Sequence, residues 1–179
     1  MMRIGMVLAM LLAAGQAVAQ GSDAATRRAQ EEAQRYFQVC MEGELKQHCE
    51  QNRNRFLRDY QAAKAGDYQG QRNVSAYLAQ PNGPVLSAGF VGIMGNMLQS
   101  CAWALVTLHS GHARADESDV RYVRMRCGHP NVDRAAAEVR AEAIMAEIRR
   151  APARMPPERR TVRPSGPLIT TAPDPNDTD

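Results

Sequence analysis

The sequence predicts an all-α protein: antiparallel helical hairpins stapled by two disulfides around one helix–loop–helix unit, followed by a disordered Pro-rich C-terminal tail. Three observations predict it. Apolar residues recur every three or four positions through most of residues 20–150, the period of a helix with one buried face. Glycines and prolines interrupt these stripes at intervals suited to short helices, at Gly43, Gly66, Gly111 and Gly128-His129-Pro130. The four cysteines pair so that the midpoint of each pair falls in one of these breaks.

In chain order, residues 1–19 read as a targeting segment. Arg3 gives a positive start, Ile4 to Ala14 an apolar run, and Ala17-Val18-Ala19 a small-residue cleavage site. The run is too short to span a bilayer, although an uncleaved N-terminal anchor is the competing reading. The signal looks bacterial. It predicts a periplasmic or secreted protein starting at Gln20, with no transmembrane segment after cleavage. Losing Arg3 lowers the formal net charge of +3 by one. So balanced a chain makes no electrostatic case for nucleic acid or an anionic membrane.

Ser22 to Met41 reads as the first helix, with Ser22 as cap and Ala29, Ala33, Tyr36 and Cys40 inward. After Gly43, Leu45, Cys49, Asn52, Phe56, Tyr60 and Ala63 form a second stripe that ends at Gly66. Further on, Met94, Leu98, Cys101, Leu105 and Leu108 make a third stripe stopped by Gly111. Asp116 or Ser118 caps the next helix, with Asp119 favourable in its first turn and Val120, Val123 and Cys127 inward. An even number of cysteines in an exported chain favours disulfides. Of three possible pairings, the midpoints favour Cys40–Cys49 with Cys101–Cys127, each adding about 3 kcal/mol by loop-closure entropy.

The stretch from Lys64 to Tyr77 carries a resemblance. Gly66, Asp67, Gln71, Asn73 and Tyr77 fit the opening of a Sel-one-like repeat, a helix–loop–helix relative of the tetratricopeptide repeat. Gly70, Val74 and Ser75 depart from the family's alanine, leucine and glycine. Trp103 and Gly111 have the separation of the Trp and Gly that close the family's second helix, and Asn96 precedes Trp103 by seven. The resemblance covers residues 64–111, with a longer linker and no second copy. A solenoid unit normally buries its faces against neighbouring repeats, so a lone unit needs cover from the flanking helices. The resemblance implies a protein-interaction scaffold and carries over no catalytic residue. From the residues themselves, Asp67 is a helix cap, and Gly70, Val74 and Tyr77 or Leu78 form an inner stripe. Trp103 packs in the core beside them, the alternative being a ligand-stacking role.

The linker from Gln80 to Gly95 opens on Pro81-Asn82-Gly83-Pro84 and continues with Val85, Leu86, Phe90, Val91, Ile93 and Met94 among glycines. It reads either as a loop tucked over the core or as an apolar lip, Val85, Leu86, Phe90, Val91 and Ile93, that contacts a partner. Asn131 is expected to cap a last helix running to about Arg150, with Val132, Ala136, Val139, Ala143 and Ala146 inward. In the tail at 151–179, seven of 29 residues are proline and none is aromatic, too little apolar surface to order it.

His48-Cys49, His109-x-x-His112 and Cys127-x-His129 contain metal-ligand types, but without the paired cysteine spacing of structural zinc sites. No nucleophile elbow or paired carboxylates appear. The expectation is a non-enzymatic, exported interaction module without cofactor or metal, whose partner is another envelope protein. Two alternatives stand beside it: a periplasmic enzyme accessory or inhibitor that inserts loop 85–95 into a partner, and a metal-handling protein.

Overall fold

A computed structural model of the chain describes residues 23–80 and 91–150. The expected leader at 1–19, the Ser22 cap, the linker residues Val85, Leu86 and Phe90, and the tail at 151–179 lie outside the described residues. Among the described residues the regular structure is helical, as the sequence predicts. The helices are α1 (23–34), α2 (Lys46–Lys64), α3 (Tyr68–Leu78), α4 (Met97–His109), α5 (Glu117–Cys127) and α6 (Arg134–Arg150).

Helix α2 buries Cys49, Asn52, Phe56, Tyr60 and Ala63, the stripe read from the sequence. Leu45 stays exposed, because it precedes the first helical turn. The chain reverses at Gly66, whose φ of +88° is a conformation that residues with a Cβ rarely adopt. Asp67 then caps α3 by accepting from the Gly70 amide at 2.6 Å. Gly70 lets α3 lie close to α2: a Cβ there would sit 2.7 Å from the Ala63 nitrogen and 2.8 Å from the Asp59 carbonyl oxygen. Phe56 meets Tyr77 edge-on at 5.4 Å further along the same antiparallel pair.

Helix α4 starts at Asn96, whose side chain accepts from the Gln99 amide at 3.0 Å. It runs antiparallel to α3. Ser75 Oγ donates to the Ser100 carbonyl at 2.9 Å, and Ser100 Oγ donates to the Ser75 carbonyl at 2.7 Å. Every residue of α4 from Ser100 to Thr107 is buried, since α3, α5 and α6 all pack on it. Trp103 is core, as expected, with no exposed surface. Its ring partner is Tyr60 of α2, edge-on at 5.6 Å.

Both expected cystines are formed, and no described cysteine is free. Cys101–Cys127 joins α4 to α5 with a Cα separation of 4.9 Å. Cys40–Cys49 does not join two helices. Helix α1 ends at residue 34 rather than at Met41, and residues 37–41 are not helical. Phe37 pairs antiparallel with Ile93: the Gln38 amide donates to the Gly92 carbonyl at 3.0 Å and the Met94 amide to the Tyr36 carbonyl at 2.7 Å. This long-range pairing takes the backbone groups a longer α1 would have used. The cystine therefore pins a non-helical segment to the start of α2.

One stripe is rotated from its expected phase and another departs at one residue. Helix α6 buries Ala137, Ala141 and Ile144, while Val139 is 68% exposed. Its first turn is capped by Asp133, which accepts from the Ala136 amide at 3.0 Å, and not by Asn131. On α5, Val123 and Cys127 are buried as expected, but Val120 is 44% exposed and Asp119 faces inward instead. None of the described helices is long and apolar enough to cross a membrane.

Candidate functional site: the cleft between α3, α4 and α5

Helix α3 sets Gln69, Arg72, Asn73 and Ala76 along one face by their three- and four-residue spacing. Helix α5 sets Asp119, Tyr122 and Arg126 on the facing side by the same rule. Between them Ser75, Ala104 and Thr107 form the floor of a cleft of about 330 Å³.

The start of α5 is held by a capping box. Asp116 caps the helix, and the Asp119 carboxylate accepts from the Asp116 amide at 3.1 Å. That fixes Asp119, which is only 2% exposed, where three more donors reach it or its neighbours. Tyr68 donates its hydroxyl to Asp119 at 2.7 Å, and Arg72 Nε lies 3.2 Å from the other carboxylate oxygen. Arg72 also donates to Ser118 Oγ at 3.1 Å, and its guanidinium lies near the rings of Tyr68 and Tyr122. His112 stacks on Tyr68 with ring centres 5.0 Å apart.

Arg126 lacks such support. Its Nε is buried with no hydrogen-bond partner, and no carboxylate among the described residues lies within ion-pair reach of it. Its guanidinium lies 5.8 Å from the centre of the Tyr122 ring. The two arginines thus differ electrostatically. Burial pulls both guanidinium pKa values down. For Arg72 the Asp119 carboxylate, joined by smaller contributions from Tyr68, Tyr122 and Asp116, outweighs burial, and the net shift is up. For Arg126 burial dominates, Tyr122 offsets it only in part, and the net shift is down. Two cations and one carboxylate leave the cleft with one uncompensated positive charge, carried by Arg126.

The hydroxyls on the floor are already committed. Ser75 donates to the Ser100 carbonyl, and Thr107 donates to the Trp103 carbonyl at 2.9 Å. The amides on the rim form a chain in which Gln69 donates to Asn73 at 2.8 Å and Asn73 donates to Asp59 at 3.1 Å. The cleft therefore offers charge, an aromatic wall and small apolar patches, rather than an activated nucleophile.

The chain matches no family model, no curated protein and no solved structure.

The residues singled out by resemblance have structural places here. Gly66 makes the turn and Asp67 the cap. Gln71 is buried, Tyr77 packs on Phe56, Trp103 fills the core and Gly111 follows the end of α4. Only Asn73 reaches the cleft. Of the expected partner contacts that are described, Ile93 is 2% exposed and belongs to the core, because its pairing with Phe37 holds it inward. Val91 is half-buried, its carbonyl accepting from Asn52 at 3.1 Å. The four cysteines are oxidised, so they offer no thiolates, and no group of three or more His, Cys, Asp or Glu among the described residues is placed to hold a metal.

Sequence reasoning missed Arg72, Asp119, Tyr122 and Arg126 as a group. A usable signal existed. Tyr122 and Arg126 stand four apart on α5, one step off the Val123–Cys127 stripe, where a side chain borders the interface without filling it.

Proposed function

We propose that the chain is an exported, all-helical protein–protein interaction module, and that the cleft between α3, α4 and α5 receives its partner. One observation carries this reading: Arg126 lines a preformed cleft with no carboxylate partner among the described residues, and its Nε is buried without a hydrogen-bond partner. Such a group costs stability unless something outside the chain completes it. Helices α3 and α4 stand as the two arms of one degenerate Sel-one-like unit, with Asp67 and Asn96 as their caps. Helices α2, α5 and α6 supply the cover that stacked repeats would otherwise give. Two cystines suit an oxidising compartment, and the expected leader at 1–19 suits delivery to the periplasm or beyond. A mature N-terminus at Gln20 on protein recovered from the envelope supports export; retention of residues 1–19 on that protein contradicts it.

The alternative, an accessory or inhibitor that inserts loop 85–95, loses Ile93 to the core and would rest on residues 85–90. A photo-crosslinking residue at position 122, in the producing cells, separates the two. The interaction reading expects a discrete protein adduct at position 122 and none at the 87% exposed Val39 position. No adduct at 122, with one at position 86, favours the loop.

A further inference from the structure

The cleft also indicates what chemistry its occupant carries. Arg72 and Asp119 neutralise each other through the 3.2 Å ion pair. Arg126 alone is left, so the cleft carries a single unit of positive charge. A dianion would overfill that charge and crowd the Asp119 carboxylate, whereas a monoanion matches it. A guanidinium presents parallel N–H donors that fit the two oxygens of a carboxylate. Tyr122, Ala76 and Ala104 offer apolar surface for the carbon chain that bears it. The volume of about 330 Å³ lies at the low end for a ligand pocket and suits one or two side chains rather than a whole domain.

We propose that the cleft binds one carboxylate of an acidic peptide segment on the partner, with Arg126 as the gripping cation and Tyr122 as the wall beside it. This rests on the reading of the chain as an interaction module. Arg126 lines the cleft and has no carboxylate partner among the described residues, so its terminal Nη donors are the atoms such a carboxylate would meet.

The test is a titration of the full mature protein, labelled with ¹⁵N, while watching the Arg126 Nε–H resonance. The probes are acetyl-Tyr-Glu-amide, its Gln counterpart, glutarate, and O-phosphoserine. The Glu peptide is expected to shift the Arg126 resonance saturably. The Gln peptide should bind at least tenfold more weakly, and phosphoserine more weakly than the Glu peptide. Glutarate distinguishes sources: affinity equal to that of the Glu peptide would assign the site to a free organic acid and overturn the peptide claim. In R126Q and R126K the Tyr122 ring resonances report instead. Loss of at least tenfold in affinity in R126Q, with partial retention in R126K and unchanged near-ultraviolet circular dichroism, supports the assignment. No saturable shift from any carboxylate probe, or equal affinity in folded R126Q, overturns it. A photo-crosslinked partner at position 122 with no carboxylate response would leave the interaction module standing and remove only this inference.

Discussion

Lys64 and Arg126 are both cations held against the core, and they meet opposite surroundings. Lys64, near the end of α2, lies between two carboxylates: Glu32 of α1 at 3.0 Å and Glu147 of α6. Tyr60 adds a hydroxyl to Glu32 at 3.0 Å. Three helices are tied together there, and the charged groups of that cluster find partners within it. Among the described residues Arg126 reaches no carboxylate. The contrast teaches which polar groups serve the fold. A cation whose acids arrive from several helices is a tie. A cation whose desolvation is left uncompensated lowers stability, and a chain that keeps one gains something else from it.

Trp103 stands behind both clusters: its ring meets Tyr60 on one side, and its backbone carbonyl accepts from the Thr107 hydroxyl of the cleft floor on the other. Trp103→Ala keeps that carbonyl but empties the core beside Tyr60, at a cost of about 3–5 kcal/mol. Denaturant unfolding measures this. A loss under about 1 kcal/mol would mean the ring does not support the Tyr60 side of the core.

The double variant Cys101→Ala/Cys127→Ala separates the clusters. Its cost should be about 3 kcal/mol by loop-closure entropy. Amide exchange should rise first in α5 and the cleft, because α5 is held to α4 by this cystine, while α1 and α2 near Lys64 stay protected. Uniform loosening would show the two regions to be one cooperative unit.

Acid should act on the closed cluster. Burial pushes the Glu32 carboxyl up, but the hydrogen bond and charge of Lys64, together with the Tyr60 hydroxyl, more than offset it, and the net shift is below the ordinary 4.5. A depressed folded pKa gives stability that is present above the unfolded value and is lost as pH falls through the folded one. Glu32→Gln should thus be less stable than the wild type at pH 7. The gap should close as pH falls below about 4.5. A gap independent of pH would mean the Lys64 pair adds nothing beyond packing.

Much of this arrangement was legible in the sequence. The stripe from Cys49 to Ala63, the Asp67 cap, the buried Trp103 and the Cys101–Cys127 staple all follow from local spacing, and local spacing is what a helix obeys. The end of α1 was not legible. Tyr36, Phe37 and Cys40 suit a helical face, yet the segment is claimed by Ile93, more than fifty residues away. The phase of α6 was hidden because alanines on several faces offer equivalent stripes, and only the fit of Ile144 against the core selects one. The cleft was hidden for a related reason. Arg72 and Asp119 read as surface charges on separate helices until the fold brings them to 3.2 Å.

The most direct test is urea unfolding at pH 7 of the wild type, Lys64→Met and Arg126→Met, since methionine keeps most of each aliphatic stem. The Lys64 side chain is 13% exposed, and its removal leaves Glu32 and Glu147 facing each other. Discounted for the partial exposure of those two carboxylates, the expected loss is about 2 kcal/mol. Arg126→Met removes a cation with no ion pair among the described residues and only the long ring contact with Tyr122, so its stability should stay within about 0.5 kcal/mol of the wild type or rise. A loss at Arg126 equal to that at Lys64 would contradict the account, because Arg126 would then be one more tie of the fold and not a group kept for a partner.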